Sequence, residues 1–299
     1  MKRIIAILMI LCTLGLAGCS IGSSQGNFKF TKETYPKMGG SPSAELLGKA
    51  IAATAIGSDI NSVDSLVDFS TTTAEAYEAL CDGKLDILIA YEPDAKTLSY
   101  IKKSGKSVEY TPIAADALVM ICSSENEVDS LTENQLSGIY SGRIKTWSEF
   151  GGKEIEILPY QSESGSGEQE LFDRTLNMGD RLETATKEII VSSSGELLTA
   201  ASKYDNSEKA IGYATYHDMQ LIIEGLSGTF NTVKILSVDG ISPSLETIES
   251  GEYTLTEKLY VAVRKNSLSG SPERVLYNWI CSEQGKELIK QQKYVSVSN

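Results

Sequence analysis

Short β-forming runs alternate with helical patterns along most of this chain, and that alternation limits its fold more than any other feature. The stretch "YTPIAADALVMIC" (110–122) is rich in apolar and β-favouring residues, and 155–160, 187–192, 232–238 and 258–264 are shorter runs of the same character. Between them, apolar spacing predicts helices over 43–54, 74–81, 132–140, 168–178, 194–203 and 271–291. Such interleaving predicts an α/β fold with mostly parallel sheets.

Three of the predicted helix starts follow clusters of small residues. The first is Gly39, Gly40, Ser41, Pro42 and Ser43; the second is Ser70 to Thr73; the third is Ser164, Gly165, Ser166 and Gly167. A helix start leaves four backbone N–H groups unpaired and carries a partial positive charge. Glycine lets a ligand approach the backbone, and serine or threonine adds hydroxyl donors, so such an elbow can cradle an anion. Capping alone explains any one of them. Three on one chain suggest helix N-termini converging on a single anion.

The chain opens with Met1-Lys2-Arg3 and a nearly unbroken apolar run from Ile4 to Leu16, too short to span a bilayer comfortably. This reads as a secretory signal over 1–18. Leu16-Ala17-Gly18-Cys19 resembles a bacterial lipobox, which implies cleavage before Cys19 and lipidation of its sulfur. Two or more lipid tails suffice for stable anchoring. Residues 19–26 then form a lipid-anchored tether containing "GSSQG". These features place the mature chain on the outer face of a bacterial cell membrane.

Loss of Lys2 and Arg3 takes the net charge from −13 to −15. Such acidity argues against nucleic acid, whose phosphates need clustered Lys and Arg. Small anions remain compatible, because oriented N–H groups hold them without net positive charge. Cys81, Cys122 and Cys281 are an odd set without short spacing, which argues against a disulfide framework or metal site and suits buried thiols. No cofactor motif is present. Ser166 does not sit in a Gly-x-Ser-x-Gly elbow, and His217 is the only histidine, so a hydrolase is not expected.

The stretch 131–172, "LTENQLSGIYSGRIKTWSEFGGKEIEILPYQSESGSGEQELF", resembles the PstS-like phosphate-binding proteins of ABC importers. The likeness is carried by Leu131, Thr132, Gln135, Leu136, Ile139, Gly142, Ile144, Trp147, Gly151, Gly152 and the Ser-Gly loop. "AIGYA" (210–214) and "GEYTLTEKLYVAV" (251–263) are similar to later landmarks of that family. The resemblance implies a two-lobed, periplasmic-binding-protein-like (type II) α/β fold with two mixed sheets and a hinge of crossing strands. Residues 27–114 plus 258–299 would form the first lobe and 115–257 the second. It also implies a monomeric, non-enzymatic receptor that takes phosphate or a related small oxyanion and delivers it to an ABC permease.

Carried over, the resemblance offers Gly40, Ser41 and Ser43 from the first cluster, Ser70, Thr72 and Thr73 from the second, and Gly165, Ser166 and Gly167 from the third. Glu92, in "LIAYEP", matches a family position that often holds an acceptor carboxylate. A carboxylate there would accept the proton of hydrogen phosphate and reject sulfate, which has none to give. A solvated residue before Pro93 is the other reading.

The chain departs from the family pattern at three places. Ser162 stands where an arginine is usual, Glu168 where a small hydroxyl residue is usual, and Pro42 lacks a backbone N–H. These departures keep open a receptor of the same fold for another small polar ligand or oxyanion.

Overall fold

A computed structural model describes residues 30–176, 178, 181–185, 189–202, 207–225, 232–295 and 297. The expected signal, Cys19 and the tether lie outside the described residues. Among the described residues no helix is long and apolar enough to cross a membrane.

In chain order the strands are β1 (Met38–Gly40), β2 (Val67–Asp68), β3 (Ile87–Tyr91), β4 (Val108–Ser123), β5 (Ser130–Leu131), β6 (Leu158–Pro159), β7 (Gln161–Ser162), β8 (Ile190–Val191), β9 (Ala210–Thr215), β10 (Val233–Val238) and β11 (Thr256–Arg264). The helices are α1 (Glu45–Ile56), α2 (Thr73–Asp82), α3 (Ala95–Lys103), α4 (Glu133–Tyr140), α5 (Gly167–Leu176), α6 (Ser194–Ser202), α7 (Tyr216–Gly225), α8 (Leu245–Ser250), α9 (Pro272–Ile280) and α10 (Glu283–Gln291). A 3-10 turn, Pro42–Ala44, leads into α1. The single helix expected over 271–291 is two helices, because Cys281 ends the first and the Ser282 hydroxyl caps the second by accepting from the Gly285 N–H.

Nine strands form one sheet in the order β2-β1-β3-β11-β4-β10-β5, with β9 beside β4 and β6 beside β9. The sheet is mixed rather than mostly parallel. Its two longest strands, β4 and β11, run antiparallel to each other, while β1 pairs parallel with β2 and β3. The two mixed sheets implied by the resemblance meet in β4. Residues 108–117 of that strand pair with β11, and residues beyond 117 pair with β9 and β10. β4 is buried from Ile113 onward and apolar there apart from Asp116 and the terminal Ser123, which explains its reading as one long run.

Glycine fixes the approach of β1 to its neighbour. A Cβ on Gly40 would come within 1.8 Å of the Ile89 carbonyl oxygen. The Ser41 N–H continues that pairing by donating to the same oxygen at 3.2 Å. The elbow before α1 is therefore pinned to the end of β3. Cys81 and Cys122 are buried free thiols, and burial pushes both up from the usual thiol range.

Candidate functional site

Two of the three small-residue elbows meet directly. The Ser43 hydroxyl donates to the carbonyl of Gly167 at 3.1 Å. Gly167 lies so close that a Cβ would stand 2.7 Å from both Cα and N of Ser43. Glycine is required here for close approach, since any side chain would push the start of α5 away. Beside this contact Ser41 is fully buried, and its Oγ has no hydrogen-bond partner. Tyr294 closes another side, donating to the Ser43 carbonyl at 2.8 Å.

The second elbow joins through Glu170, one turn into α5. Its Oε1 accepts from the Thr73 hydroxyl at 2.5 Å and from the Thr73 N–H at 3.3 Å. A carboxylate thus sits on the N-terminus of α2, where amides and dipole favour negative charge. Glu170 Oε2 is buried and unpartnered. Burial pushes this carboxyl up, and the Thr73 bonds and the Arg174 charge only partly offset it.

Not every expected donor points inward. Ser70 bonds Asp68 Oδ1 through both its N–H (3.1 Å) and its hydroxyl (2.6 Å). Thr72 is exposed and forms a capping box with Glu75. Gly165 is exposed in a turn with φ of +87°. Ser166 accepts from the Gln169 N–H at 3.1 Å and caps α5. Ser162 is half-buried on β7, its N–H donating to the Tyr213 hydroxyl at 3.0 Å. Glu92 is exposed, and its backbone carbonyl accepts from Arg174; the carboxylate that reaches the elbows is Glu170, on Thr73. The local sequence of Glu92, a carboxylate after a strand, carries no information on which way its side chain turns.

One cation that sequence reading missed, Arg174, lies one turn beyond Glu170 and acts on it; Lys37 and Arg143 are both exposed. Arg174 Nη2 donates to the Glu92 carbonyl at 3.1 Å and lies 3.5 Å from Glu257 Oε2, with the guanidinium 4.9 Å over the Tyr91 ring. Gly167, Glu170 and Arg174 are spaced three and four apart, so they share one face of α5. That spacing was the available signal.

Glu168 turns inward. The Ser194 hydroxyl lies 3.3 Å from its Oε1 and 3.2 Å from Asp218 Oδ2. Burial, then the Asp218 charge, pushes Glu168 above the usual carboxylate range. Next to Asp218 lies His217, only 4% exposed, its Nδ1 2.5 Å from Asp116 Oδ2 and its Nε2 3.2 Å from Asp218 Oδ1. Burial opposes its charge, but the two aspartates outweigh burial and raise His217 to about 10, so it is an imidazolium. Burial likewise opposes ionisation of Asp218, and the His217 charge holds it below its ordinary value. Both ring nitrogens are engaged, so neither is left to activate Ser166. The ring stacks on Tyr294 at 4.1 Å between centroids, which places this charged row directly behind Ser43.

Comparisons with known proteins agree with this architecture. Residues 38–277 match the model of the PBP superfamily domain. Curated relatives include the phosphate-binding protein PstS of Borreliella burgdorferi, 27% identical over 192 residues that cover 62% of this chain and 65% of the relative. PstS of Staphylococcus saprophyticus is 28% identical over 204 residues, 66% of this chain and 60% of the relative. The chain thus spans just under two thirds of the length of these relatives. Among solved structures, an ABC-type phosphate transport receptor from Vibrio cholerae superposes with a TM-score of 0.70 at 20% identity, covering 87% of this chain and 99% of that one. PstS from Borrelia burgdorferi gives 0.63 at 21% identity, covering 89% and 100%. At these identities the superpositions speak for the fold alone. With four fifths of its length matched by the family model, the chain belongs to the PBP superfamily.

Proposed function

We propose that this protein is an extracytoplasmic solute receptor that captures phosphate between its two α/β halves and delivers it to an ABC importer. The single observation that carries this reading is the meeting of Ser43 and Gly167 beside the buried, unpartnered Ser41 hydroxyl. Two distant chain segments meet there, and the Ser41 hydroxyl beside them is free to serve an anion. The relatives and neighbours named for phosphate support the same ligand. In this reading the free Oε2 of Glu170 accepts the proton of hydrogen phosphate, the role that the resemblance offered to Glu92.

In this reading, 27–114 plus 258–299 and 115–257 are lobes that close on the ligand, with β4 and β11 as the crossings. Cys19 carries the lipid anchor, the receptor acts as a monomer on the outer membrane face, and it performs no covalent chemistry. Calorimetry of the purified full-length chain with phosphate, arsenate and sulfate tests the ligand. Heat with the first two and none with sulfate is expected; silence with all three removes the phosphate reading.

One observation favours a second reading. Glu168, Glu170 and Asp218 bring three carboxylates to the region, and no arginine stands at Ser162. A small cationic or neutral polar ligand would suit that lining, and heat with such a compound but not with phosphate would select it.

A further inference from the structure

Ser194 poses a proton-counting problem. Its hydroxyl stands between two carboxyl groups, 3.3 Å from Glu168 Oε1 and 3.2 Å from Asp218 Oδ2, and it has one hydrogen to give. Asp218 is paired with the His217 imidazolium and stays ionised. Were Glu168 ionised as well, one of the two oxygen–oxygen contacts would lack a proton. An ionised Glu168 would also set a second buried carboxylate charge beside the one on Asp218. A proton on Glu168 resolves both conflicts. Glu168 then donates to Ser194 Oγ, and Ser194 donates to Asp218 Oδ2.

The groups facing Glu168 come from every element around it. Ser166 lies in its own loop, Ser194 starts α6, Asp218 and His217 start α7, Tyr213 lies on β9, and Asp116 on β4 lies beyond the imidazole. Hydrogen bonds from Ser194, Ser166 and its own backbone N–H favour the ionised form, while burial and Asp218 oppose it more strongly. Glu168 is also the direct neighbour of Gly167, whose Cα abuts Ser43.

We propose that Glu168 is the residue that makes anion capture at this site proton-linked. In its neutral form it leaves the cradle open to an anion, and in its ionised form it repels one. This rests on the anion-receptor reading above.

The test combines two readouts on the full-length protein. Infrared difference spectra of ligand-free wild type against Glu168→Gln report a protonated-carboxyl stretch directly. Phosphate titrations from about pH 5 to about pH 9 then follow affinity in wild type, Glu168→Gln and Glu168→Thr. Phosphate's own ionisation is common to all three, so the difference between profiles belongs to Glu168. Wild type is expected to lose about tenfold more affinity per pH unit than either variant above the Glu168 pKa. Parallel profiles, or no carboxyl band lost in the difference spectrum, overturn the proposal. Absence of phosphate binding in all three proteins at every pH overturns the anion reading and the linkage with it, while the infrared band still decides whether Glu168 holds the proton.

Discussion

The hydroxyl of Ser43 donates to the carbonyl of Gly167 across 124 positions of sequence. Two loops of small residues, each of which could be dismissed as local capping, are therefore parts of one arrangement. The remaining contacts of α5 follow from that anchor: Glu170 on Thr73, and Arg174 against Glu92, Glu257 and Tyr91.

Gly167→Ala should separate the two loops. The added Cβ meets backbone atoms of Ser43 at 2.7 Å, and backbone cannot swing aside as a side-chain tip can. Forced overpacking of this kind costs about 1–3 kcal/mol. We expect a lowered melting temperature and a loss of phosphate affinity between about fivefold and about a hundredfold, at the 1.4 kcal/mol per decade that relates the two. Wild-type affinity in this variant would show that the contact is unrelated to binding.

Glu170→Gln replaces an acceptor by a group that also donates. Its buried Oε2 is the proposed acceptor of the phosphate proton. Sulfate, rejected by a carboxylate, should become tolerated, and the preference for phosphate should narrow by about fivefold or more, since an unsatisfied buried group costs about 1–3 kcal/mol. Competition calorimetry decides this; unchanged exclusion of sulfate would place the discriminating group elsewhere.

The His217 row predicts how stability depends on pH. His217 is raised from 6.5 to about 10, so its contribution is complete below its unfolded value and disappears as pH rises through about 10. Asp218 is lowered, so its contribution is present above its ordinary value and is lost as pH falls through the folded one. Thermal melts should therefore decline from near neutrality toward about pH 10. His217→Gln should flatten that decline and, by leaving Asp116 and Asp218 buried without their cation, destabilise by about 3–5 kcal/mol near neutral pH. A wild-type melting temperature that stays level across this range would contradict the assignment of an imidazolium.

Two substitutions probe the Ser-Gly loop. Ser166→Asp should abolish phosphate binding while leaving the melting temperature of the ligand-free protein nearly unchanged, because aspartate also caps a helix well. Ser162→Arg should tighten phosphate binding by about tenfold, the gain of one charge-assisted contact, if that position faces the ligand. Undisturbed binding in the first variant would move the ligand away from α5.

Much of this arrangement could be read in the sequence, because small-residue clusters and β-forming runs are local signals. Ser41, Ser43, Thr73 and Gly167 came from such clusters, and the structure gathers them. Ser70 and Thr72 carried the same local signature but bond within their own turns, since Asp68 and Glu75 lie within reach. Glu92 and Glu170 show the harder problem: composition marks a carboxylate, and only the packing of α5 decides that Glu170 is the one that reaches Thr73. His217 has Asp218 as its chain neighbour, but its other partner, Asp116 on β4, lies 101 positions away and could not be paired with it from the sequence. The sheet was read as mostly parallel because alternation reports element order and not strand direction.

The register between β4 and β11 slips once, with Leu259 opposite Ala114 and Tyr260 opposite Pro112, leaving Ile113 without a partner. Such an extra residue bends a strand and sharpens its twist. In the two-lobed reading proposed above, a swing of the lobes would concentrate at this joint, as in a leaf spring with a single notch. Asp116 stands three residues along the same strand, so that swing would pull on the imidazolium it holds.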